Sequence, residues 1–366
     1  MSRTKITFRA TAWPMLLSGC LVAWGGADGV QSAAAEPSAS PPALERFEYE
    51  EIQMGVGFKV VLYAGDQSAA NRAARKALDR VAELNQRLSD YLDESELNKL
   101  CRAYDKDAGP GPAEGISVSD DLFHIIDHSQ QLAAQSQGAF DITVGPLVRQ
   151  WRRARRQEKL PSPDRLTDAL AVTGYHNLLL DRQKHRVRLL KPGMQLDLGG
   201  IAKGYAADEA LAVLKREGIT RALVGAAGDI AASDPPPGEA GWRIGVAPLD
   251  AEAAPSRYLR LAGRACSTSG DAFQFVEIAG KRYSHLVDPK TGLGLVGRMS
   301  VTVVAPASIT SDSVASAVCV LGPEQGMKLV ESLGGVAALI VRVNDAGHLE
   351  TIESDRWKKL SVELPQ

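Results

Sequence analysis

The chain has 366 residues, is 45% hydrophobic, and sets 42 Lys and Arg against 44 Asp and Glu for a net charge of −2. That length can bury one large or two small globular cores, and the charge balance argues against a nucleic-acid-binding surface. The basic run Arg152-Arg153-Ala154-Arg155-Arg156 is local and reads as a solvated helix face or a loop rather than a phosphate-binding stripe.

Residues 1–35 read as a targeting segment: Arg3, Lys5 and Arg9 precede the apolar stretch Trp13 to Trp24. That stretch is too short, with too many glycines after it, to read as a membrane span. Two exits are open. Leu17-Ser18-Gly19-Cys20 looks like a bacterial lipobox that would lipidate Cys20, and Ala33-Ala34-Ala35 offers an ordinary signal-peptidase site. Residues 36–46 form a Pro/Ser/Ala-containing tether, and residues 47–366 the folded part. Without the leader Cys101, Cys266 and Cys319 remain, none at metal-type spacing. Their odd count argues against a disulfide framework, and a Cys101–Cys266 bridge has no further support.

Phe47 to Ala64 alternates and then turns apolar, which predicts one strand with Met54-Gly55-Val56-Gly57 inside or just before it. A helix from Ser68 carries the stripe Ala73, Ala77, Val81, Leu84 and Leu88, and a loop from Leu88 to Glu96 follows. Another helix, from Ser119, turns Leu122, Ile125, Ile126 and Leu132 inward. His124 and His128 lie at i, i+4 on it, as a metal pair would. They share their stripe with Asp121, Gln131 and Gln135, which reads as a solvated face. Residues 152–168 read as a charged, Pro-broken surface excursion.

Val187 to Leu198 reads as two strands around Lys191-Pro192-Gly193, leading into LDLGGIAKGYAAD at 196–208. There Asp197 would end a strand, Gly199-Gly200 make a tight turn, and Lys203 fall in the first turn of a helix. Ala207, Ala210, Leu211 and Leu214 would face the core, with Gly218 as the cap. Glycines let backbone approach a ligand, and a helix N-terminus favours an anion. The plain alternative is a corner in which Asp197 only caps. Further on, strands are predicted at Arg221–Gly225, Trp242–Ala247, Tyr258–Leu261 and Ser300–Ala305. A hairpin from Phe273 to Asp288 around Ala279-Gly280-Lys281 would set His285 near its end. The helix with Val314, Ala315, Val318 and Cys319 could take Asp312 as its N-cap. Residues 324–366 read as one helix, one strand (Ala338 to Val343) and a charged tail. No strand–GxGxxG–helix unit is visible, which argues against a Rossmann dehydrogenase, and the element order suggests α+β.

The stretch LDLGGIAKGYAAD resembles the signature of the ApbE family, the FAD:protein FMN transferases. Other blocks fall in the family's order: GAFDITVGPLV at 138–148, ALVGAAGDI at 222–230, STSGD at 267–271, YSHLVDPKTG at 283–292 and SVTVVAPASITSDSVASAVCVLGP at 300–323. The resemblance implies an α+β, T-fold-type catalytic unit of two packed lobes with the site between them. It implies Mg²⁺-dependent transfer of FMN from FAD to a threonine (or serine) hydroxyl of an exported acceptor protein, releasing AMP. Met54, Tyr91, Ala139, Phe140, Asp141, Asp197, Lys203 and Leu286 would contact FAD. His285 would be the base and Lys203 would neutralise a phosphate oxygen. Gly200, Asp312, Ala315 and Ser316 would hold the metal, the glycine and alanine through their carbonyls. Such an all-oxygen set suits Mg²⁺ rather than zinc.

Three positions depart from the family pattern: Val56 stands where Thr is usual, Gly225 for Asn and Ala227 for Gly. Two rival readings remain, hydrolysis of FAD to FMN and AMP at the same site, and non-catalytic exported flavin binding. Thr268 and Thr291 lie inside the site blocks, so the acceptor is expected to be a separate protein, a flavin-bearing subunit of a membrane redox complex. The expected location is periplasmic, with membrane attachment only through a lipid on Cys20.

Overall fold

A computed structural model describes residues 43–109, 111–250, 253–271 and 274–363; the leader with Cys20 and most of the tether lie outside the described residues. Strands β1 (Glu45–Gln53) and β2 (Val56–Ala64) form a hairpin where one strand was expected. Met54 and Gly55 both take positive φ, 50° and 76°, the two-residue turn whose twist matches antiparallel neighbours. Helix α1 (Gln67–Leu88) starts at Asp66, whose side chain accepts from Ala69 N–H, and buries the expected stripe. Helix α2 (Glu96–Arg102) and β3 (Ile116–Ser117) lead to α3 (Asp120–Gln135), capped by Ser119. The solvated face expected on α3 carries exposed His124, Gln131 and Gln135, but Asp121 does not belong to it. Asp121 is buried and binds Arg80, Arg87 and the Tyr205 hydroxyl, so an ion-pair knot ties three elements together.

The stretch expected as a charged, Pro-broken surface excursion lies in two helices, α4 (Gly145–Gln157) and α5 (Pro163–Ala171), whose prolines Pro146 and Pro163 sit in first turns, where proline costs no hydrogen bond. Strands β4 (Leu178–Asp181) and β5 (Arg186–Leu189) follow. The second strand expected up to Leu198 does not form. Asp197 N–H donates to the Ile142 carbonyl (2.8 Å) and Leu196 N–H to Cys101 Sγ (3.4 Å), so this segment is pinned by two separate loops instead of a ladder. Helix α6 (Ala202–Arg216) begins directly after Gly199-Gly200 and ends at Gly218 in the left-handed region.

The remaining elements are β6 (Ala222–Ala226), β7 (Asp229–Ala232), β8 (Trp242–Gly245), β9 (Tyr258–Leu261), β10 (Arg264–Gly270), β11 (Phe275–Ile278), β12 (Lys281–Val287), β13 (Gly294–Val296), β14 (Met299–Ala305), α7 (Ser308–Ser332), β15 (Ala337–Val343), β16 (Leu349–Glu353) and β17 (Val362–Glu363). Strand β10 was not foreseen, because RACSTSG lacks an apolar run. Nor were β16 and β17, which lie within the expected charged tail. Helix α7 is kinked at Gly322 (φ 73°, ψ 179°), where Pro323 follows.

Eight strands make one antiparallel sheet in the order β1-β2-β6-β7-β10-β14-β15-β16. Strands β14 and β15 pack against cores on both faces, which explains their mostly apolar sequences. Phe58, Val60, Val301, Val303 and Ile340 pack in the core that includes α1, α6 and α7. Val61, Val304 and Leu339 pack in a second core with the sheet β17-β9-β8 and Trp357. A third cluster joins Leu147, Trp151 and Ala154 of α4 to Ile278, Tyr283 and Val287 of the β11–β12 hairpin, forming a smaller lobe. The α+β class is the one expected. Cys101, Cys266 and Cys319 are buried free thiols, so the Cys101–Cys266 bridge is absent.

Candidate functional site

The starts of α6 and α7 are held by each other. Helix α6 has no side-chain cap from Ile201; instead Asp312 of α7 accepts from the Gly204 N–H at 3.0 Å. Helix α7 has none from Ala307; Asp208 of α6 accepts from Ser308 N–H and Ile309 N–H, both at 2.8 Å. Asp312 therefore does not cap its own helix, being its fifth residue. A Cβ on Gly204 would stand 2.3 Å from the Ser308 carbonyl oxygen, so only glycine lets the two helices cross this closely.

That crossing forms the floor of a cavity of about 720 Å³, walled by the β6–β7 turn, β10, β12 and α4. On the floor, Lys203 Nζ lies 2.6 Å from Asp229 and 3.7 Å from Asp312. Burial opposes the lysine's charge, but the two carboxylates outweigh it and raise its pKa. Asp312 is raised above the usual carboxylate range by burial and by Asp229, against Lys203 and the Gly204 N–H. One cation against two buried carboxylates leaves room for a further positive charge. Ser316 Oγ lies 3.3 Å from Ser269 Oγ, and a Cβ on Gly200 would come within 3.1 Å of that same Ser316 oxygen. Gly200 thus lies against the Ser316 hydroxyl, and both line the same cavity as Asp312.

His285 faces the cavity from β12. Its Nδ1 is 3.1 Å from the Gln274 carbonyl oxygen, which can only accept, so Nδ1 carries the proton and Nε2 is left as the acceptor in the neutral ring. Though open to the cavity, the ring is walled by protein. Burial holds its pKa below the ordinary histidine value, Lys203 and Arg155 add to that, and the Gln274 carbonyl works against it.

At the other end, Asp197 Oδ1 accepts from Gly199 N–H (2.8 Å) and Oδ2 from Arg152 (3.0 Å). Arg152 also binds Asp90 and lies 4.2 Å over the Tyr91 ring. Asp141 spends its carboxylate on Thr143 N–H and hydroxyl and on Tyr175 N–H, fixing the loop that presents Ala139 and Phe140.

Tyr91, Ala139, Phe140, Asp141, Asp197, Gly200, Lys203, His285, Leu286, Asp312 and Ser316 all line this cavity. Met54 does not. It sits in the β1–β2 turn, at the same end of the sheet as Ala227 and Gly228, and packs on the main core. The Ala315 side chain is buried inside α7, away from the lining. Sequence reasoning missed Asp229, Arg152 and Arg155. The α4 signal was legible in retrospect: Val148, Trp151, Arg152 and Arg155 fall at i, i+3, i+4, i+7 and line the cavity together. The basic run expected to face solvent thus turns two arginines to the site.

Residues 54–340 match the ApbE family model. The FAD:protein FMN transferase of Escherichia coli strain K12 is 32% identical over 305 residues, 80% of this chain and 86% of its own. That of Salmonella typhimurium is 30% identical over 367 residues, covering 98% of this chain and 99% of its own. Among solved structures, the flavin transferase ApbE from Vibrio cholerae superposes with a TM-score of 0.77 at 25% identity, over 87% of this chain and all of its own. The ApbE protein from Thermotoga maritima gives 0.74 at 30% identity, over 86% of this chain and 99% of its own. The chain belongs to the ApbE family.

Proposed function

We propose that this cavity transfers FMN from FAD to a threonine (or serine) hydroxyl of a separate, exported acceptor protein and releases AMP. The observation that carries the reading is the floor cluster of Lys203, Asp229 and Asp312, in the same cavity as a histidine whose free nitrogen is fixed by Gln274. In the reaction the acceptor oxygen bonds to the FMN phosphorus as the bridging P–O bond to AMP breaks. The hydroxyl proton passes to His285 Nε2, and the electron pair of the broken bond leaves on the AMP phosphate. Such a transfer depends on positioning and charge neutralisation more than on covalent help. Lys203 neutralises a phosphate oxygen, and the start of α6 adds its N-terminal dipole. Tyr91, Ala139, Phe140, Asp197 and Leu286 contact the dinucleotide, while Asp141 holds the loop of Ala139 and Phe140.

Asp312, Ser316 and the carbonyls of Gly200 and Ala315 suit Mg²⁺, because the donors are hard oxygens and the floor cluster carries excess negative charge. When bound, Mg²⁺ neutralises diphosphate charge and polarises the attacked phosphorus. The leader supports action outside the cytoplasm, with Cys20 as a lipid anchor and a flavin-bearing subunit of a membrane redox complex as acceptor. Incubating the protein with FAD, Mg²⁺ and a candidate acceptor tests this reading. A flavin-fluorescent acceptor band that survives denaturation is expected. Free FMN with an unlabelled acceptor would establish hydrolysis instead, and unchanged FAD would leave only binding.

A further inference from the structure

We propose that Arg152 is a positioning residue for the FAD donor: it holds Tyr91 and Asp197 in place and so sets donor affinity, not the transfer step. The inference rests on the donor-site reading above. Arg152 projects from the cavity-lining stripe of α4 and makes three contacts with one guanidinium. One branch binds Asp90, the other reaches Asp197 Oδ2 at 3.0 Å, and the flat face lies 4.2 Å from the centre of the Tyr91 ring. The backbone of the 90–92 loop is tied down separately, by Asn98 Nδ2 donating to the Asp90 and Leu92 carbonyls at 3.2 and 2.9 Å. The Tyr91 side chain is not. It is 74% exposed, and the Arg152 guanidinium lies over its ring.

The two carboxylates make the arginine necessary. Asp90 and Asp197 side chains are only 19% and 10% exposed, and each repels the other. Remove the cation between them and they are driven apart, moving one wall of the cavity, while the tyrosine ring loses the surface it rests on. With Arg152 in place, one face of Tyr91 is covered and the other is left for a planar ring of the donor. The paired carboxylates also no longer repel a diphosphate. A lysine cannot replace this geometry: it has neither the fork to reach two carboxylates at once nor a flat face to stack. His285 bonds to the Gln274 carbonyl and Lys203 pairs with Asp229 and Asp312, so the reacting end of the cavity is ordered by its own groups.

The test uses the full chain and FAD itself, with binding followed by quenching of flavin fluorescence and transfer by AMP release. Arg152→Ala is expected to raise both Kd and KM for FAD at least tenfold while kcat changes less than threefold. Arg152→Lys should fall between Arg152→Ala and wild type. Adding Asp90→Asn to Arg152→Ala should recover at least threefold in Kd, because the repulsion that the arginine relieved is then gone. Wild-type or tighter FAD binding by Arg152→Ala overturns the proposal, as does a loss confined to kcat, or no recovery in the double variant. Should Arg152→Ala fail to fold, Arg152→Lys carries the test, and an unchanged KM in that variant overturns it. Failure of the wild type to bind FAD overturns the donor-site reading itself, a result visible before any variant is made.

Discussion

His285 keeps one ring nitrogen occupied by the Gln274 carbonyl, and that bond leaves Nε2 as the free nitrogen. In the proposed reaction His285 is the base and works in its neutral form, which its depressed pKa favours at and above neutral pH. We expect kcat/KM for transfer to rise with pH on a limb whose midpoint lies below the ordinary histidine value of about 6.5, then to stay flat from about pH 7 to 8. A midpoint above that value would remove His285 from the role. One substitution separates the observed role of Asp312 from its proposed one by size. As the partner of the Gly204 N–H its loss would cost about 1 kcal/mol, whereas in the proposed metal-binding role its loss would stop AMP release altogether. Asp312→Ala should therefore fold, melt a few degrees lower and show no turnover; full turnover in that variant would remove the metal assignment. At this scale the family blocks were a good guide to what lines the cavity. The helical spacing could place Arg152 on the cavity face of α4, but not its ion pairs, because Asp90 and Asp197 are 62 and 45 residues away.

Helices α6 and α7 exchange caps, and neither half of that exchange lies within one helix's own sequence. Asp208 accepts two N–H groups at the start of α7, so Asp208→Ala should lower unfolding free energy by about 1–2 kcal/mol in urea titration. Substitution at the crossing itself is harsher. Gly204→Ala would push a methyl against the Ser308 carbonyl and Asp312 Cβ, backbone included, with an expected cost of about 1–3 kcal/mol and loss of turnover. A melting temperature equal to wild type would show that the helices can move apart there. Elements whose burial repeats within themselves were legible: α1 and α6 carry their alanine and leucine stripes in the sequence, and the β11–β12 hairpin carries its Ala279-Gly280 turn. The segment at Asp197 was not. Its apolar alternation suggested a strand, but its N–H groups bond to Ile142 and Cys101, partners that no local pattern encodes. Ala227 holds a left-handed φ of 56° in the β6–β7 turn, where the family's glycine would be unstrained, so the departure noted in the sequence is a backbone feature of the cavity wall.

The molecule as a whole places a cavity of about 720 Å³ between the helix starts on one side of the large sheet and a lobe built on α4 and the β11–β12 hairpin. The class of fold could be read from the alternation of strand and helix patterns. The closure of eight strands into one sheet could not, because β10 and β16 pair through sequences with no strong apolar period. The central claim is that the FMN half of FAD reaches a protein hydroxyl intact. Its most direct measurement is mass spectrometry of a threonine-bearing acceptor incubated with the protein, FAD and Mg²⁺, with AMP quantified in the same reaction. The account predicts one FMN, attached through its phosphate to the acceptor threonine, for each AMP released, and no flavin on the protein itself. AMP accompanied by an equal amount of free FMN and an unmodified acceptor would contradict it.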